Sequence, residues 1–336
     1  MPIVVYNQTV DPVTSLNNVT ISNASIDAST SSLTNYNQVV PTFVAVHDNS
    51  TKAASSTDGI NWTLRTLPVS AQWRKVAYAC NLFVTTAYGS TTTAASSTDG
   101  ITWTLRTMPA VSNWNSIVAR DQNYFIATGS DTTAATSFDG MSWTLRTMPV
   151  SAYWSSVATI AGGSRTVALP GVGGSLNTAA AYSDGGATWT ATTMPLSQFW
   201  KSLVWGDNIF LAISANNFTT AAASSTDGIT WALRTLPENG SWQSCAYGAG
   251  KFVILRGQRL ITTTDAVTWT LRSLPVNSTW TTITFSDNRF VAIGNSVAIF
   301  SDDGLSWTTR TTLPGSTWNG ISFGLPSYST LPASLI

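Results

Sequence analysis

Apolar and polar positions along this chain alternate in short runs, and nowhere recur at the three-to-four spacing of a helix. Residues 73–79 read Trp-Arg-Lys-Val-Ala-Tyr-Ala, a half-buried strand, and a turn follows at Asn81. Leu82-Phe-Val-Thr-Thr-Ala is a second strand and Thr93-Ala-Ala-Ser-Ser a third. Asp99-Gly100 supplies a hairpin dipeptide, and Ile101-Thr-Trp-Thr-Leu-Arg-Thr is the fourth strand, stopped by Pro109. Four antiparallel strands in about forty residues make one sheet.

That unit recurs. Fourteen of the fifteen tryptophans form seven pairs, each separated by eleven residues: 62/73, 103/114, 143/154, 189/200, 231/242, 269/280 and 307/318. An acid precedes each first tryptophan, at Asp58, Asp99, Asp139, Asp184, Asp227, Asp265 and Asp303. A proline follows each, from Pro68 to Pro314. A period near forty with four short strands per unit predicts an all-β fold, a single seven-bladed β-propeller of four-stranded antiparallel blades. The length of 336 residues alone would suggest about two domains, but stacked repeats share one core.

The ends of the chain predict how the ring closes. Thr42-Phe-Val-Ala-Val46 matches a second strand, with no tryptophan-initiated strand before it. The missing piece is Trp318-Asn-Gly-Ile-Ser-Phe323, so the C-terminal strand is expected to pair with N-terminal ones and remove an open edge. Residues 1–41 stand outside the repeat and read as an arm, 42–324 as the propeller, and 325–336 as a surface tail.

Composition narrows the function. Sixteen basic and sixteen acidic side chains balance to zero, giving no electrostatic reason to expect nucleic acid or an anionic membrane. No stretch approaches the ~18 apolar residues of a membrane helix, and no membrane insertion is expected. The N-terminus lacks the basic and apolar segments of a secretory signal. Cys80 and Cys245 fall in non-equivalent repeats and read as two buried free thiols.

The repeated polar residues are the candidate chemistry. Seven acids on seven separate units do not converge as metal ligands must, so no metal or cofactor is expected. Arg65, Arg106, Arg146, Arg234, Arg272 and Arg310 recur three residues after the first tryptophan and are expected to pair with a neighbouring blade. His47, the only histidine, reads as a surface residue. Glycoside hydrolysis ordinarily needs two flanking carboxylates, and the single glutamate, Glu238, has no evident partner. The expectation is a protein without catalytic activity. Recognition is expected instead on the loops joining second and third strands, which differ between units. Among them Asn216, Asn217, Phe218, Arg256, Gln258 and Arg259 combine amides, an aromatic platform and cations suited to a sugar or acidic glycan.

Two resemblances extend this reading. Ser56-Thr-Asp-Gly-Ile-Asn-Trp62 and its counterparts resemble the Asp-box of BNR-repeat propellers, in which the acid is a structural hairpin acceptor. Only Asp184-Gly-Gly-Ala-Thr-Trp189 has that family's full acid-to-tryptophan spacing, with Tyr182 in place of its serine. Units such as Ser-Ser-Thr-Asp-Gly-Ile-Thr-Trp-Thr-Leu-Arg-Thr, followed by Trp and Phe-Val, are similar to repeats of bacteriophage tail-fibre and other virion proteins. This resemblance implies a virion protein assembled in the bacterial cytoplasm. Residues 1–41 would join other virion proteins, and the propeller would bind a host-surface receptor or glycan. A purely structural decoration or adaptor is the second reading, and a cellular lectin or Asp-box assembly factor the third. A homo-oligomer is left open.

Overall fold

The computed structural model describes residues 38–120, 123–171, 176–310, 313, 317–325 and 327–328. Residues 39–328 form one compact unit, and every described residue but Gln38 belongs to it. Of the expected arm, 1–41, only residues 38–41 lie among the described residues, and of the expected tail only Leu325, Ser327 and Tyr328; the rest of both fall outside them.

Every described element is a β-strand, and no helix occurs among the described residues. The strands form six sheets: three of four strands and two of seven, all antiparallel, and one of two short strands, Gln38–Val39 and Ser327–Tyr328. Seven separate four-stranded sheets were expected, and the difference lies at the prolines. Pro68 does not stop its strand, because Thr63–Ala79 runs through it, and Thr144–Thr159 likewise runs through Pro149. Pro109 and Pro195 also lie inside strands. In each case the ladder slips at the proline. Lys52 pairs with Thr66 and Ser50 with Ala71, leaving the proline in a bulge where no N–H is needed. The first half of Thr63–Ala79 therefore belongs to one set of four strands and the second half, through Gln72–Tyr88 pairing, to the next.

The C-terminal strand Trp318–Gly324 pairs antiparallel with Thr42–His47, from Phe323 opposite Phe43 to Trp318 opposite His47. That sheet therefore draws its first strand from one end of the chain and the rest from the other. The pairing also buries His47, expected at the surface. The residue is 9% exposed, its ring meets the Trp318 indole edge-on at 5.1 Å, and its Nδ1 lies 2.9 Å from Ser50 Oγ.

Burial follows strand position. Thr42–His47 and Tyr124–Thr128, second strands of their units, are buried along their whole length because a sheet covers each face. Fourth strands such as Ala232–Thr235 are largely exposed. Each apolar cluster spans two consecutive units: Val84 and Ala94 pack with Trp114, Phe125 and Ala135. The first and last units share a cluster too, in which Phe43 and Ala45 meet Val291, Ile293 and Trp318. The second tryptophan of all seven pairs is 0% exposed, and truncating any one to alanine would cost about 3–5 kcal/mol. Neither cysteine forms a disulfide. Cys245 fills an apolar slot as a small hydrophobe, whereas Cys80 is only half-buried, because it sits in a left-handed hairpin turn with Asn81.

Candidate functional site: the hairpin loops opposite the acid turns

The two ends of the sheets carry different chemistry. At one end, Asp99 Oδ1 accepts the N–H groups of Ile101 and Thr102, both at 2.8 Å, and the Ser97 hydroxyl. Asp58, Asp139, Asp227, Asp265 and Asp303 do the same in their turns. For Asp265 and Asp303 these backbone donors hold the carboxyl down at about 2. The glycine after the acid has positive φ and lies against the preceding unit. A Cβ on Gly100 would stand 2.6 Å from Val44, and one on Gly59 would stand 2.6 Å from Val291.

Asp184 departs from the expected role. Ser183 accepts the Gly186 N–H as Ser97 accepts that of Gly100, which puts Gly185 at the acid position and Asp184 one place before it. Asp184 instead takes both ends of the Arg165 guanidinium at 2.7 Å, as Asp302 does with Arg289. Each of these arginines also reaches the backbone of the following unit, Arg165 at Asp227 O and Arg289 at Asp58 O. The recurring arginines need a correction as well. Arg65, Arg106, Arg146 and Arg234 donate through Nε to Ser55, Ser96, Thr136 and Ser224 or their hydroxyl equivalents on the adjoining strand of their own sheet, at 2.8–3.0 Å. The ten-residue offset across one hairpin places each pair opposite, so no neighbouring unit is needed.

The opposite end varies. In the loop after Ile209–Ser214, Asn216 Oδ1 accepts the Phe218 N–H at 3.1 Å, an Asx turn that leaves the Phe218 ring 91% exposed. In the next unit, Arg256 and Arg259 face each other across a hairpin whose Gly257 has φ +51°. Arg256 donates to Asn239 O at 2.6 Å and Glu238 Oε1 at 3.1 Å, with its guanidinium 5.2 Å from the Trp242 ring centre. Arg259 lies 3.6 Å from the same Glu238 oxygen. The solitary glutamate thus has two partners, and it offsets the charge that would draw an acidic ligand.

Two clefts, about 370 and 520 Å³, open here and share Asn217, Ser241 and Gln243. The first adds Asn216, Phe218, Phe199 and Lys201, and the second Arg256, Gly257 and Trp280. Asn216, Asn217, Phe218 and Arg256 therefore come together around one groove. Gln258 donates to Leu274 O, and neither it nor Arg259 lines either cleft. Lys201, Ser241 and Gln243 were missed in the sequence. Lys201 and Gln243 share a signal, since each directly follows the second tryptophan of its unit. In five units the ladder bulges at that position, re-aiming Arg74, Ser155, Lys201, Thr281 and Asn319. Among the described residues no three His, Cys, Asp or Glu side chains converge to hold a metal.

No family model and no curated protein matches this chain. Solved structures similar to it include a streptogramin B lyase, 10% identical with a TM-score of 0.62, covering 72% of this chain and 83% of that one. The virginiamycin B lyase of Staphylococcus aureus is 14% identical at TM-score 0.62, covering 83% and 98%. YCF48 bound to a D1 peptide is 16% identical at TM-score 0.59, covering 77% and 91%. At these identities the likeness establishes the fold alone, an all-β propeller-type architecture. It also corrects the expectation of a chain without catalytic activity, because the same architecture carries two lyases and gives no ground for excluding catalysis.

Proposed function

We propose that the chain is a closed seven-bladed propeller whose loop face binds a hydroxyl-rich ligand, a saccharide, in the groove beside Phe218. Seven blades follow if each seven-stranded sheet is counted as two blades joined through a continuous strand. Support for closure comes from Trp318–Gly324, which pairs with Thr42–His47, and from the apolar cluster shared by the first and last units. The observation that carries the ligand reading is the Phe218 ring, held out into solvent by its own Asx turn beside the Asn216 and Asn217 amides. Aromatic faces and fixed amides are what sugar rings and hydroxyls recognise. A neutral saccharide suits the groove better than an acidic one, because Glu238 already engages both nearby arginines. The likeness of the repeats to bacteriophage virion proteins supports display on a particle, with residues 1–41 as the attachment and the loop face outward. A glycan-binding comparison of Phe218→Ala and Asn217→Ala with Thr98→Ala, on the acid-turn face, tests the groove. Loss in the first two alone is expected, and equal binding by all three would remove this face from consideration. Electron microscopy of the source particle tests the setting.

A further inference from the structure

The strands that begin at the second tryptophans carry no aspartate or glutamate, yet they carry Arg74, Lys75 and Lys201. Three facts about these residues converge. First, Lys75 and Lys201 come from strands far apart in the chain, yet lie close enough for each charge, and that of Arg74, to act on Lys75. Burial, reinforced by repulsion from Lys201 and Arg74, pushes the Lys75 ammonium down to about 8. Lys201 is lowered by burial and by Arg74. Among the described residues no ion pair joins a carboxylate to any of the three.

Second, buried donors go unpartnered at the same register in two units. Arg74 Nε and Ser155 Oγ each belong to the residue after a second tryptophan, and each is enclosed without a hydrogen bond. A buried donor left empty is costly, so two of them at one level imply something that fills them. Third, the surroundings are fixed. The Arg74 guanidinium stacks over Tyr88 at 4.5 Å, Tyr88 meets Tyr153 edge-on at 6.2 Å, and bulges set the Arg74 and Lys201 side chains. Burial and the Tyr88 hydrogen bond raise the Tyr153 hydroxyl to about 12, so it stays a neutral donor.

We propose that Arg74, Lys75 and Lys201 form a binding site for a tetrahedral oxyanion, a phosphate or sulfate group, between the tryptophan-initiated strands. A planar guanidinium fork beside two compact ammonium charges matches three oxygens carrying two charges. Lys201 also lines the cleft beside Phe218, but the site does not rest on the saccharide reading: Phe218→Ala should leave phosphate and sulfate binding unchanged.

The test is thermal melting and calorimetric titration of the full chain with inorganic phosphate and with sulfate, against chloride at equal ionic strength. At neutral pH phosphate or sulfate should raise the melting temperature by several degrees. The tighter of the two tells a phosphorylated from a sulfated ligand. Raising the pH through the Lys75 value of about 8 should weaken binding, as that ammonium discharges while the Cys245 thiol, pushed up by burial to about 12, stays neutral. Arg74→Gln and Lys201→Gln should each bind roughly tenfold or more weakly. In chloride Lys201→Gln should melt no lower than the parent, because it removes repulsion. Equal shifts by all three anions, or affinity unchanged in both variants, would overturn the site. The pH series on the parent alone decides the matter should either variant fail to fold, since binding that does not weaken above pH 8 also overturns it.

Discussion

The acid-turn end and the loop end of these sheets are built from the same strands, yet one repeats and the other does not. At the acid turns, six carboxylates accept the same two backbone N–H groups, and small residues behind them pack on the preceding unit. At the loop end, Asn216, Phe218, Arg256 and Lys201 each occur at a position where other units carry something else. Sharing a scaffold, the two ends differ in what fixes their residues. Backbone donors and a neighbouring core leave the acid turn few solutions, whereas an exposed hairpin needs only a turn that closes.

The sharpest way to break the comparison is to remove what joins the first and last units. A chain ending at residue 317 lacks the partner of Thr42–His47 and exposes Phe43 and Val44, so it should lose its cooperative melt altogether. An unchanged transition would mean the pairing is dispensable. Gly100→Val comes next. It forces a branched side chain into φ +72° and against Val44, with an expected loss of about 3 kcal/mol or more by denaturant unfolding. Asp139→Ala, which orphans the Met141 and Ser142 N–H groups, should cost about 1–2 kcal/mol. Asp184→Ala, which breaks only an exposed ion pair, should cost at most about 0.5 kcal/mol. If the two alanine variants are equal, the acid turn does no more than a surface charge does.

The same acids set a pH dependence. The folded values of Asp265 and Asp303, about 2, lie below the ordinary 3.8. Their contribution is therefore complete above that ordinary value and lost as pH falls toward 2. Acid titration of stability should show this loss, and Asp265→Asn should blunt it. The smallest effect expected runs the other way. Ala266 holds φ +56° where the other turns have glycine, so Ala266→Gly should stabilise by about 0.5–1 kcal/mol in equilibrium unfolding.

Much of this was legible in the residues. Paired tryptophans eleven apart located every unit, and the unmatched Thr42–Val46 run pointed to its partner near Trp318. Pro68 misled, because a proline ends a strand only where the ladder needs its N–H, and a bulge at that point does not. Asp184 misled because its spacing was measured to the tryptophan, whereas the turn is set by the serine. The groove residues Asn216, Asn217, Phe218 and Arg256 could be found as departures from the repeat. Glu238 could not be linked to Arg256 and Arg259, since that contact joins the loop after one blade to a hairpin of the next. Arg74 and Lys75 lay in plain view inside an otherwise ordinary strand. Only the bulge beside Trp73 and the absence of any facing acid set them apart.

The split sheet also has a consequence during synthesis. Thr42–His47 leaves the ribosome early, with Phe43 and Val44 destined for full burial, but its hydrogen-bonding neighbour is encoded some 275 residues later. At an elongation rate of about 5–20 residues per second, the nascent chain carries that unsatisfied edge for roughly 15–60 s. Until then an apolar strand is free to pair with the wrong neighbour, including another nascent copy on the same polysome. Yield on expression should therefore depend on translation speed and on chaperones that shield extended segments, more steeply than the stability of the finished molecule would suggest.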